Sequence, residues 1–232
     1  MASNPQENEL GTAPVGQLLV RLAVPNIAAQ IVNMLYNIVD RIYIGHIPNI
    51  GSQALTGVGV TFPIIILITA FSSLIGMGGA PRASIAMGQK HNERAEKIMG
   101  NCFTALIIIS ICLTVLFLLT QRQILVLFGA SADTLPYALE YLNLYVLGTI
   151  FIQIALGMNG FITTQGKAKT AMCTVLIGAA LNIILDPIFI FVFNLGVRGA
   201  AIATLTARIL EFLIVSIYIF CIDKRLNFKP KH

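Results

Sequence analysis

Long apolar blocks, broken by short clusters of polar, glycine and proline residues, run the length of this chain. Six blocks, near 18–45, 54–79, 98–120, 137–162, 171–194 and 199–222, are each long enough to cross a hydrocarbon core, which takes roughly 20 helical residues. The pattern predicts an all-α fold: a polytopic membrane protein whose six-helix transmembrane bundle spans residues 18–222, with a polar segment at 1–17 and a basic tail at 223–232. The first 16 residues carry Glu7 and Glu9 but no Lys or Arg. The block that follows is far longer than the core of a cleavable signal peptide and is read as a retained span.

Composition strengthens this picture. Charged residues make up 11% of the 232 and hydrophobic residues 56%, whereas a soluble domain carries roughly 25% charge. The formal charge of +5 reflects topology. Arg82, Lys90, Arg94 and Lys97 follow the second block, Lys167 and Lys169 follow the fourth, and Lys224, Arg225, Lys229 and Lys231 fill the tail, against Arg122 and Arg198 on the opposite side. By the positive-inside rule both termini are cytoplasmic in a multi-pass protein of the cell (inner or plasma) membrane. Basic residues dispersed over membrane-flanking loops do not form a nucleic-acid-binding face, so no nucleic acid partner is expected.

Polar residues inside the apolar blocks carry the chemistry. Gln30, Asn33, Asn37 and Asp40 recur at three- and four-residue spacing in the first block, so they share one helical stripe that must face protein or water. Interhelical hydrogen bonding accounts for Gln30 and Asn33, but a carboxylate at Asp40 asks for more. Asn182 and Asp186 lie one turn apart in the fifth block and are followed by Pro187. With the termini inside, Asp40 falls about five residues before the outer end of its block, Asp186 about eight before, and Thr204 about five after the outer start of the sixth. At 1.5 Å per residue these are common depths of roughly 7–12 Å; depth alone does not separate Thr204 from Thr206. Hard oxygen ligands suit a proton or an alkali cation such as Na⁺ rather than a transition metal. Like charges in a dehydrated site resist joint ionisation, so H⁺ and Na⁺ would compete there.

Prolines supply candidate hinges. Pro25 and Pro187 each lack the N–H that a helical carbonyl four residues earlier expects, and Pro63 is read the same way in the second block. Other features have plainer readings. Arg208 and Glu211, at i, i+3, can neutralise each other, with a role in proton movement or lobe contact as the alternative. Glu140 and Asp133 read as solvated or helix-start residues near the outer interface, and Arg41 points about 100° from Asp40. Tyr137, Tyr141 and Tyr145 read as an interfacial aromatic belt, with stacking on a cationic drug as the alternative. The Gly76-Met77-Gly78-Gly79 run has neither a preceding strand nor a following Gly-Lys and reads as close helix packing or a helix end. Cys102, Cys112, Cys173 and Cys221 read as buried small residues, and His46, His91 and His232 as isolated surface histidines; no cofactor is expected. No nucleophile, base and orienter set suggests an enzyme.

Several stretches resemble one transporter family. Asn182-Ile-Ile-Leu-Asp186-Pro187 followed by Gly196-Val-Arg198-Gly-Ala-Ala-Ile-Ala-Thr204, Leu22-Ala-Val-Pro25 with Leu35-Tyr36-Asn37-Ile-Val-Asp40, and Gly78-Gly79 through Ala86-Met-Gly88 in the loop after the second span are similar to the multidrug and toxic compound extrusion (MATE) transporters. The resemblance implies a cation-coupled antiporter that exports cationic amphiphilic drugs in exchange for Na⁺ or H⁺. It carries a cation-binding role to Asp40, Asn182, Asp186 and Thr204 and a hinge role to Pro25, with Gln30, Asn33, Tyr36 and Asn37 as substrate-cavity candidates. Members have two six-helix lobes, and this chain corresponds to the N-terminal one of a twelve-helix transporter. Alternating access rocks one bundle against another, so the expected partners, besides the lipid bilayer and drugs, include a second six-helix lobe, from a missing C-terminal half or from another chain. A lipid-linked precursor flippase of the same wider superfamily and a non-transporting six-helix membrane subunit are the alternatives.

Overall fold

The computed structural model describes residues 14–219. The polar start with Glu7 and Glu9, the basic tail, Cys221 and His232 lie outside them, and with them the outer limits expected for the terminal segments. Within this range the chain is a bundle of eight α-helices: α1 (Val15–Gly45), α2 (Gly51–Val60), α3 (Phe62–Gly88), α4 (Asn92–Leu127), α5 (Leu135–Leu147), α6 (Thr149–Thr164), α7 (Ala168–Pro187) and α8 (Gly196–Ile217). Five are long and apolar enough to cross a membrane, and α5 with α6, bent by 58° at Gly148, makes a sixth span.

Three expectations need correction. The second block divides: α2 is a separate ten-residue helix, and the spanning helix begins only at Phe62. Pro63 therefore sits in the first turn of α3, where a missing N–H disturbs nothing, and makes no hinge. Gly78, Gly79 and the Ala86-Met-Gly88 stretch belong to α3 itself, which runs on to Gly88, rather than to a loop.

Backbones pack closely where α3 meets α6. A Cβ on Gly76 would lie 2.7 Å from the carbonyl oxygen of Gly157, so only glycine lets these backbones approach so closely. Gln153 in α6 fastens the same pair: its Nε2 donates to the Ile68 carbonyl at 2.9 Å, and its Oε1 accepts from the Ser72 hydroxyl at 2.7 Å. Two apolar clusters flank this contact. One gathers Ile64, Ile68, Phe117, Leu142 and Ile152; the other gathers Met99, Leu106, Met158, Phe161 and Val215. Large apolar side chains such as Leu74, Leu119 and Val192 are exposed by 65%, 73% and 73% and form the face a bilayer would cover. Cys112 and Cys173 lie on that outer face and Cys102 is half-buried, so the cysteines are not uniformly buried. His46 and His91 are exposed.

Candidate cation site and cavity

Three helices deliver the polar residues singled out above to one place. Asp40 comes from the last turns of α1, Asn182 and Asp186 from the end of α7, and Thr204 from α8. All four are buried, at 6%, 1%, 0% and 7% exposure respectively. Asn182 holds the group together: its Nδ2 donates to Asp186 Oδ1 and to Thr204 Oγ1, both at 3.3 Å. The Asp40 and Asp186 carboxyl groups lie within interaction range of each other. Thr206, equal to Thr204 by depth, donates instead to the Ile202 carbonyl of its own helix at 2.8 Å.

Local sequence explains why α7 and α8 meet at this level. Pro187 ends α7, and its missing N–H leaves the Ile183 carbonyl without a helical donor; the chain then widens into a π-helical turn, Ile188–Val192. A Cβ on Gly199 would come within 2.6 Å of the Phe189 backbone, so the glycine lets the start of α8 rest directly on the widened turn. Thr204 is thereby brought across from Asn182. On the other wall, Pro25 is buried inside an unbroken α1, and the next residue, Asn26, turns its amide back to the Leu22 carbonyl at 2.9 Å.

The oxygens left over define what the site can do. Among the described residues, Asp40 Oδ1, Asp186 Oδ2 and Asn182 Oδ1 are buried without a hydrogen-bond partner. Buried polar atoms are almost always paired, because an orphan forfeits its hydration without return. The two carboxylate oxygens suit a hard cation or a proton, while Asn182, which turns its N–H to Asp186, keeps its own orphaned oxygen on the other side. No cluster of three or more His, Cys, Asp or Glu occurs among the described residues, so the donor set is not that of a transition metal.

A cavity of about 750 Å³ opens beside the site, bounded by α1, α3, α5, α6, α7 and α8. Gln30, Asn33, Tyr36 and Asn37 all line it, as do Asp40 and Thr204. The deeper Asn182 and Asp186 do not, so the acidic group is only partly open to the cavity. Tyr141 and Tyr145 also line it. They are buried at 5% and 7%, with their rings stacked 6.3 Å apart, and so are not interfacial belt residues. Their i, i+4 spacing was visible in the sequence, but spacing does not say whether a helix face meets lipid or protein. Asn159 on α6 was missed altogether. It bonds Thr174 Oγ1 at 2.7 Å, and a lone asparagine in an apolar block carries no positional signal.

Arg208 and Glu211 pair at 2.6 Å as their spacing implied. Arg208 reaches further, donating to the Tyr36 hydroxyl and, at 3.5 Å, to Asn33 Oδ1, which ties α8 to α1. Asn33 thus fills the interhelical hydrogen-bonding role. Arg41 lies 4.5 Å over the Phe62 ring, and Glu140 pairs with Arg198 at 3.1 Å rather than standing free in solvent.

The family model described as MatE matches residues 25–188, from the α1 proline to just past Asp186. The chain belongs to the MatE family. Among its MatE relatives, the multidrug export protein MepA of Staphylococcus haemolyticus is 28% identical over 214 residues, covering 92% of this chain and 47% of that protein. A MATE protein crystallised in its bent conformation superposes with a TM-score of 0.89 at 27% identity, over 100% of this chain and 52% of that one. A MOP superfamily transporter from Pyrococcus furiosus gives 0.90 at 26% identity, over 99% and 50%. The chain spans about half the length of the curated relatives it matches, and its fold is that of one MATE lobe.

Proposed function

We propose that this chain is the N-terminal half of a cation-coupled multidrug antiporter, and that Asp40, Asn182, Asp186 and Thr204 bind the coupling Na⁺ or H⁺. The observation that carries the reading is the convergence of these side chains from α1, α7 and α8, with two unpartnered carboxylate oxygens, beside a cavity of about 750 Å³ that Asp40 and Thr204 line. The kinship with multidrug export proteins supports the transported class. Cationic amphiphilic drugs fit the cavity through Asp40 and through the faces of Tyr36, Tyr141 and Tyr145, which attract cations. Both termini face the cytoplasm in this reading.

Two carboxylates side by side in a dehydrated pocket repel strongly, and either a proton or Na⁺ relieves that repulsion. Filling the site draws Asp40 and Asp186 together and so moves α1 about the Pro25 hinge, with Pro187 and its π-turn yielding on the opposite wall. The stripe Gln30, Asn33, Tyr36 and Asn37 shifts with α1, which reshapes the drug-binding wall and releases the drug. Cycling this change across a membrane requires a second six-helix lobe, because access alternates when one bundle rocks against another.

Ethidium efflux from vesicles containing this chain together with its completing lobe tests the reading. Asp40→Asn and Asp186→Asn are each expected to abolish cation-driven efflux while membrane insertion stays normal. Efflux at the unmodified rate in either variant would remove the residue from the coupling site.

A further inference from the structure

Behind the acidic group lies a second, much smaller cavity of about 10 Å³, lined in part by Asn182, Thr204, Arg208 and Glu211. That is room for about one water molecule, and a buried water is stable when it finds two to four polar partners. Two partners are on hand. Asn182 Oδ1 and Glu211 Oε1 are both buried acceptors without a donor, and Glu211 is 0% exposed. A single water has two O–H donors, one for each of these oxygens.

Asn182 is also turned the wrong way for a metal cation. Its Nδ2, not its Oδ1, faces Asp186. That orientation suits an empty or protonated site, because the amide donates to a carboxyl oxygen. It is wrong for Na⁺, which needs the carbonyl oxygen on that side. Turning the amide over puts Oδ1 beside the carboxylates and sends the two N–H donors towards the small cavity. The turned amide then donates to the water, and the water donates to Glu211 Oε1. Arg208 makes this possible by holding the other Glu211 oxygen at 2.6 Å. The ion pair is neutral overall and does not compete for the cation, yet one carboxylate oxygen remains free to accept.

Resting on the cation-site reading above, we infer that the cavity between Asn182 and Glu211 is a structural-water site, and that Glu211 acts through it as a positioning residue selecting for Na⁺. The water lets Asn182 present its N–H to a protonated Asp186 or its oxygen to Na⁺ without leaving a buried group unpaired. A purely structural Glu211 would do no more than neutralise Arg208.

Equilibrium binding of ²²Na⁺ to the purified chain in lipid nanodiscs, together with infrared pH titration of its buried carboxyl groups, separates these roles. In Glu211→Gln the new side-chain N–H donates to the water, which then has no acceptor on that side and can only donate to Asn182 Oδ1, holding it turned away. Na⁺ affinity is then expected to fall by about tenfold or more, the range typical of outer-shell partners of metal ligands, while the carboxyl titration of the Asp40 and Asp186 pair persists. The charge-balanced Arg208→Gln/Glu211→Gln double variant guards against misfolding around an unpaired guanidinium and is expected to show the same selective loss. Unchanged Na⁺ affinity in both variants overturns the inference, and the cation site survives if Asp186→Asn still abolishes Na⁺ binding. Na⁺ binding that persists in Asp186→Asn overturns the cation site and the inference with it. A wild-type chain that titrates its carboxyls but takes up no Na⁺ overturns the inference and leaves a proton-coupled site.

Discussion

The two carboxylates of the proposed site come from unlike parts of the bundle. Asp186 belongs to α7, which packs against α8, α6 and the widened turn after Pro187. Asp40 belongs to α1, where only 11% of the most apolar stretch is buried, against 39% for α8. In water a helix with so little buried surface would detach. In a bilayer lipid covers its apolar face, and only its polar stripe needs protein. α1 is thus held to the bundle in part by polar contacts: Arg208 on Tyr36 and Asn33, and the juxtaposition of Asp40 with Asp186. A cation that changes the second contact acts on the span with the smallest buried share, which packs mainly on α7 itself. In the proposed coupling, an acid on the better-buried α7 span, 28% against 11% for α1, and one on α1 would let ion binding become motion.

This contrast predicts a graded response to substitution. Gly76→Leu at the contact of α3 with α6 should have the largest effect, because a side chain has to enter space held by the Gly157 backbone. The expected outcome is loss of the folded bundle, seen as the absence of a monodisperse peak on gel filtration in detergent. Gln153→Ala should cost about 1–3 kcal/mol, since it strands the buried Ser72 hydroxyl and removes the interhelical bond to the Ile68 carbonyl. A denaturant titration followed by circular dichroism reads that shift. Ile27→Ala on the outer face of α1 should change stability by no more than about 0.5 kcal/mol, because the side chain is 58% exposed to the lipid side. A large loss from Ile27→Ala would mean that α1 is packed as firmly as α6, and the proposed division of labour would fail.

Much of this arrangement is legible in the residues. Hydropathy locates six spans, the i, i+3 spacing of Arg208 and Glu211 gives their pairing, and Asn182, Asp186 and Pro187 announce an unusual helix end. The rest depends on three-dimensional packing. Hydropathy cannot tell a lipid-facing helix surface from a protein-facing one, so the burial of Tyr141 and Tyr145 against the cavity was hidden. The fourth span bends by 58° at Gly148, and nothing local distinguishes it from Gly157, which lies in an unbroken helix. Gly78 and Gly79 look like loop residues but sit inside α3, where Gly79 is packed against Cys102 and Phe161 while Gly78 faces open space. Thr204 and Thr206 are alike by depth, and only the turn of α8 decides that one hydroxyl meets Asn182 while the other bonds its own backbone. The orphaned oxygens of Asp40, Asn182 and Asp186 are likewise a property of the assembled bundle.

Infrared difference spectroscopy of the purified chain in nanodiscs, with pH and Na⁺ varied, tests most directly whether α1 and α7 share one cation site. The account predicts a carboxyl protonation signal that Na⁺ suppresses, or one that answers to pH alone in a proton-coupled protein, and that Asp40→Asn and Asp186→Asn each remove. A signal that survives unchanged in both variants would contradict a cation site shared between α1 and α7.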